Sequence, residues 1–132
     1  MYRIIAATAL LAASVATASA QGLPSIWQSE RGAIVKIFNI DRGTRTFSGI
    51  LVNAPTGACP GLTYDLTGRV AVPRRAVTFR TVRPWSSDCA VTTNWYGRSL
   101  DANRVVTTWT ARSVAPNGRV IWRRGSEIFR RI

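Results

Sequence analysis

Beyond residue 20 no stretch of this chain carries the apolar spacing of a helix. Short runs rich in β-branched and aromatic residues are broken at near-regular intervals by Gly, Pro, Asp and Asn. The runs are Ser25 to Gln28, Ala33 to Ile40, Thr44 to Val52, Thr63 to Val72, Ala76 to Val82, Cys89 to Leu100, Arg104 to Val114 and Val120 to Arg131. Between them lie turn signals such as Asp41-Arg42-Gly43, Pro73-Arg74-Arg75, Asp101-Ala102-Asn103 and Pro116-Asn117-Gly118. Glu30-Arg31-Gly32 is another, and a longer loop from Asn53 to Leu62 holds Pro55, Gly57, Pro60 and Gly61. Eight strands in sequence, each turning directly into the next, predict an all-β protein. An even number of consecutive hairpins favours an eight-stranded antiparallel up-and-down β-barrel, because closure removes the exposed edges. A barrel of that size has room for a filled core or one small ligand.

The strand from Cys89 onward has two unlike faces. Alternation puts Val91, Thr93 and Trp95 on one side and Thr92, Asn94 and Tyr96 on the other. Trp95 can be plain core or the wall of a ligand pocket; the strand alone leaves both open.

The first residues have a different character. Met1-Tyr2-Arg3 is a short positive start, Ile4 to Ala16 is almost wholly apolar or small, and Ala18-Ser19-Ala20 has the small-x-small pattern of a cleavage site. Residues 1–20 therefore read as a secretory signal peptide, and residues 21–132 as one domain, secreted or periplasmic. The apolar run is too short for a membrane span, and no second one follows. Export permits a disulfide, and two cysteines allow a single internal pairing, Cys59 with Cys89; two free buried thiols are the alternative.

Charge is lopsided, with a formal net of +12 and Arg supplying nearly all of it. Such a surface attracts anions, so an anionic polymer or surface is a candidate partner. The arginines are scattered, however, and lack the clustering with interleaved aromatics of a dedicated nucleic-acid face. The chain has no His, which removes Ser-His catalysis and His metal sites. Its six acids show no spacing of a catalytic pair. The sequence reads as a binder, not an enzyme, with no cofactor and no metal.

Several segments resemble the avidin/streptavidin family. Trp27-Gln28-Ser29-Glu30-Arg31-Gly32 is similar to its first-strand motif, and Ser48-Gly49 to its third strand. Tyr64-x-Leu66-Thr67-Gly68-Arg69 matches its fourth strand without a gap, and Thr93-x-Trp95-x-Gly97 its sixth. Thr107-Thr108-Trp109 and Gly125-Ser126-Glu127-Ile128-Phe129 resemble its last two strands. The order and spacing span nearly all of residues 21–132. Cys59 and Cys89 sit where the dimeric, disulfide-containing bacterial avidins of the rhizavidin type have a bridge, between the loop after the third strand and the start of the sixth.

The resemblance implies a barrel that holds biotin, as ligand and not cofactor, in one open end. Carried over residue by residue, Trp95 and Trp109 fall on pocket tryptophans and Thr93 on a hydroxyl that meets the ring sulfur. Asn53 and Glu127 fall on groups near the two ureido N–H. The ureido-oxygen donors are altered: Ser29 stands for the usual Asn, Ala33 for Ser and Leu51 for Tyr. Val91 replaces a Ser that meets the tail carboxylate. A third pocket Trp falls near Val82 or Arg83, with Trp85 only a neighbour. Arg119 stands where tetrameric members carry a lid Trp, and Trp122 faces away from Glu127 by parity; a homodimer is the expected assembly. The implied function is binding of biotin or a related small ligand at a partly altered polar site. The alternative is an Arg-rich barrel that binds an anionic polymer and no small molecule.

Overall fold

The computed structural model describes residues 25–57, 59–71, 75–83 and 89–132. Residues 1–20, read from the sequence as a signal peptide, lie outside these residues, as does Trp85. The strands are β1 (Ser25–Ser29), β2 (Ile34–Asp41), β3 (Thr46–Val52), β4 (Thr63–Ala71), β5 (Ala76–Val82), β6 (Val91–Asp101), β7 (Arg104–Val114) and β8 (Val120–Arg131). Each pairs antiparallel with its neighbour in sequence, and β8 returns to β1 to close an eight-stranded barrel. The predicted architecture is the observed one.

Strand β2 begins one residue after the expected Ala33, and two further strand starts differ for one shared reason. Strand β3 begins at Thr46, two residues late, and β6 at Val91. Arg45 has φ 59° and Cys89 φ 59°, a left-handed backbone that cannot continue a strand. Before Arg45, the Asp41 carboxylate accepts from the backbone N–H of Gly43 at 2.9 Å and of Thr44 at 3.2 Å, folding the turn back on itself.

Alternation decides what faces the interior. Leu51, Tyr64, Leu66, Trp95 and Phe129 form the buried cluster with Val35, and Trp27, Ile37, Phe47, Phe79 and Trp109 pack against it. Burying each large apolar side chain contributes roughly 1.5–3 kcal/mol. The core is strongly aromatic. Trp95 stacks on Phe79 with centroids 5.2 Å apart, meets Phe129 edge-on at 5.7 Å and tilts against Trp109 at 6.1 Å. Glycine makes the room: a Cβ on Gly125 would run into the Trp109 indole on the paired strand, and one on Gly68 would run into Phe47.

Connectivity gives the barrel two different ends. The connections β1–β2, β3–β4, β5–β6 and β7–β8 gather at one, here the loop end. The tighter turns β2–β3, β4–β5 and β6–β7 gather with the start of β1 at the other, the hairpin end.

Candidate functional site

The loop between β3 and β4 is held in place by three kinds of bond. Cys59 is disulfide-bonded to Cys89 across a separation of 30 residues. The Asn53 side-chain amide donates to the Cys59 carbonyl at 3.1 Å, and Asn53 N–H donates to the Leu62 carbonyl at 2.8 Å. From the barrel wall, the Tyr64 hydroxyl donates to the Cys89 carbonyl at 3.2 Å. Burial pushes the Tyr64 phenol above its usual value, and the positive charge of Arg83 partly opposes this. Loop and β6 are thus tied covalently and through two carbonyls of the bridging cysteines themselves.

Beneath this loop, the first turn brings Ser29 and Ala33 together. Ala33 N–H donates to Ser29 Oγ at 3.0 Å, and Ser29 N–H returns to the Ala33 carbonyl at 2.8 Å. The Ser29 oxygen therefore already serves as an acceptor within its own turn. Glu127 is only 7 % exposed. Burial raises its carboxyl above the ordinary glutamate value; the Ser29 hydrogen bond and the charge of Arg31 oppose the rise. A buried carboxyl facing a hydroxyl inside an apolar barrel is a costly arrangement that a pure core does not need. Thr107, beside Glu127 in register, donates its hydroxyl to the Glu127 carbonyl at 2.7 Å and fixes that strand position.

The remaining predicted residues are placed as parity requires. Leu51 and Thr93 are buried on β3 and β6, and Val91 is half-buried above Thr93. Thr93 lies between Thr81 of β5 and Ala111 of β7. Trp95 sits one step deeper, wholly engaged by aromatic neighbours and by Thr81, whose Oγ1 accepts from the indole N–H at 3.0 Å. Trp109 is half-buried; its indole nitrogen is buried and has no partner among the described residues. The loop end thus combines one unmet donor (Trp109), a buried hydroxyl–carboxyl pair (Ser29 and Glu127) and a further hydroxyl (Thr93), framed by Leu51, Ala33 and Val91. Such a set is suited to orienting a small polar group against an apolar wall.

Thr81 is the residue that sequence reasoning passed over. Its signal was present in the alternation of Ala76 to Val82, which puts Phe79 and Thr81 on the same inward face. Among the described residues no cluster of three His, Cys, Asp or Glu could hold a metal. No helix there is long and apolar enough to cross a membrane.

A cavity of about 860 Å³ occupies the hairpin half of the barrel, lined by Trp27, Ile37, Phe47, Val77, Phe79 and Phe129 among others. The residues predicted for the ligand site do not line it. A second hollow of about 880 Å³ runs across the outer wall, where Ser48, Thr67, Thr78, Asn94, Tyr96 and Thr108 point outward.

No family model matches the sequence, and no curated protein matches it. Solved structures do. The bradavidin2–biotin complex aligns at 28 % identity and a TM-score of 0.68, covering 83 % of this chain and 96 % of that one. The rhizavidin–biotin complex aligns at 26 % identity and a TM-score of 0.68, covering 83 % and 92 %. Apo shwanavidin shares the fold at 22 % identity and a TM-score of 0.65, covering 82 % and 96 %.

The closed eight-stranded barrel with a disulfide-tied loop between its third and fourth strands is an avidin-like barrel. In fold the chain is similar to bradavidin2 and rhizavidin, at 28 % and 26 % identity.

Proposed function

We propose that this protein binds a small ligand, biotin or a relative of it, at the loop end of the barrel. The observation that carries this reading is the buried Ser29–Glu127 pair beneath the Cys59–Cys89 loop. The solved bradavidin2 and rhizavidin complexes with biotin support it by likeness of fold. Ser29 and Glu127 would take the ureido group, Thr93 the ring sulfur, and Trp95 and Trp109 the apolar face of the bicycle. Asn53 is already bonded to Cys59, so its contribution is to hold the loop as much as to meet ligand. Ala33 and Leu51 supply no donor for the ureido oxygen, and Val91 none for the tail. Each hydrogen bond lost to a buried polar atom costs ~1–3 kcal/mol. Affinity for biotin should therefore be weaker by orders of magnitude than at a site with all donors in place. Arg31 and Arg83, at the same end, favour a ligand with an acidic tail.

Assembly and compartment follow from the same reading. Trp122 is 60 % exposed, and Val114, Val120 and Ile121 are exposed beside it at the tip of the β7–β8 hairpin. An apolar cluster of this kind is suited to a subunit contact, and we assign it to a homodimer. A disulfide is stable in an oxidising compartment, in keeping with a secreted or periplasmic protein.

Calorimetry with biotin at low and high salt tests the proposal. Binding in a preformed pocket should be nearly insensitive to salt. No heat with biotin, together with DNA retention that weakens steeply with salt, would instead support the polyanion reading.

A further inference from the structure

The loop end does not account for the cavity in the other half of the barrel. That cavity, about 860 Å³, lies within the range of small-molecule sites. Its depth is apolar: Trp27, Ile37, Phe47, Leu66, Val77 and Phe129 are among its walls. Phe47, Phe79 and Phe129 also belong to the aromatic layer around Trp95, which floors the cavity. Val77 and Val105 pack over the Gly97 backbone, leaving no room for a side chain there. Val77 lies opposite Gly97 in the β5–β6 ladder, and Ala76 and Ala102 are at the rim.

Charge is arranged differently from depth. The rim carries Arg42, Arg45 and Arg75 on the hairpin turns, with Asp41 and Asp101. Both acids are engaged within their own turns. Asp41 accepts from Gly43 and Thr44 N–H at 2.9 and 3.2 Å. Asp101 accepts from Asn103 N–H at 2.8 Å and pairs with Arg104 at 3.0 Å. Arg104–Asp101 is the ion pair found among the described residues, so the rim arginines are not neutralised by the acids beside them. Arg45 and Arg75 are held at φ 59° and 51°, which fixes where their side chains leave the turns.

From this juxtaposition, an apolar well with a cationic collar at the hairpin end, we propose a second ligand site that takes a single-chain carboxylic acid. The alkyl chain lies between Trp27, Ile37 and Val77, and the carboxylate meets Arg45 and Arg75 at the mouth. The site is separate from the loop end and does not depend on biotin binding there.

The experiment is calorimetry of the full protein with octanoate, decanoate and dodecanoate, with and without saturating biotin. One equivalent should bind, and affinity should tighten roughly fourfold per added methylene as apolar surface is buried. Dodecanol should bind several-fold more weakly than dodecanoate. Arg45→Asn with Arg75→Asn, residues that tolerate the left-handed backbone, should bring dodecanoate down to the level of dodecanol. Val77→Phe should abolish binding by filling the well. If it does not fold, Ala102→Trp on the exposed turn should do the same by closing the mouth. Affinity independent of chain length, or no binding at all, overturns the proposal. So does displacement of the acid by biotin, which would put the acid at the loop end; failure of biotin to bind leaves the acid titration fully interpretable.

Discussion

The indole N–H of Trp95 donates to Thr81 Oγ1 at 3.0 Å, joining β6 to β5 inside the barrel. Thr81 is 2 % exposed and Trp95 8 %, so water cannot replace either partner. Trp95 is thereby fixed in the plane in which it stacks on Phe79. Removal of the hydroxyl in Thr81→Val leaves a buried donor unmet and should cost ~1–3 kcal/mol of stability. Chemical denaturation measures it, and Trp95→Phe in the same background should add less than it does alone, since the bond is already lost. Full additivity of the two changes would show that the bond contributes nothing.

The Glu127 carboxyl predicts a pH dependence. Its folded value is raised above the ordinary 4.5 by burial, so the fold penalises the charged form. Stability from this group is therefore greatest below the unfolded value and falls as pH rises through the folded one. Glu127→Gln should raise the melting temperature at neutral pH, and the difference from the parent should vanish below about pH 4. A variant that is less stable at pH 7 than the parent would contradict this. If Glu127 also contacts ligand, the same change should weaken biotin binding while stabilising the free protein.

Cross-linking of residues 59 and 89 predicts a stability cost for reduction. Closing a loop of this length contributes ~3–4 kcal/mol through the unfolded chain. Cys59→Ser with Cys89→Ser should lower the melting temperature by roughly 10 °C or more. Any biotin affinity should fall further than stability explains, because the Asn53 and Tyr64 bonds both end on carbonyls of the bridged cysteines.

The exposed tryptophan at the β7–β8 hairpin predicts an assembly. Trp122→Ser should convert a dimer to a monomer in sedimentation equilibrium without altering the melting profile of the isolated barrel. A parent protein that sediments as a monomer at micromolar concentration removes the assignment.

Much of the fold was legible because barrel strands obey a short-range rule. The period of two, with turn residues at each break, located every strand; Ala76–Val82 and Arg104–Val114 fell on the residues predicted. The larger shifts of strand ends fell at Arg45 and Cys89, where a left-handed backbone overrides β-propensity. The inward positions were legible, since Ser29, Leu51, Thr93 and Glu127 are buried as alternation requires. What parity could not supply was the partner of each. Thr81 and Trp95 are apart in sequence, and only the β5–β6 register, Thr81 beside Thr93 and Phe79 beside Trp95, brings them to one place.

The sequence by itself determined the barrel, its strand count and which side chains face inward, because these follow from local alternation and turn chemistry. Only the tertiary structure decided how the interior is divided. Trp95 is packed among Phe79, Phe129 and Trp109, the buried polar pair lies on the loop side, and the open volume lies on the hairpin side. The physical reason is that volume is a property of the assembled layer. Whether facing side chains fill the space between them depends on register and rotamer across strands, and no single strand carries that information.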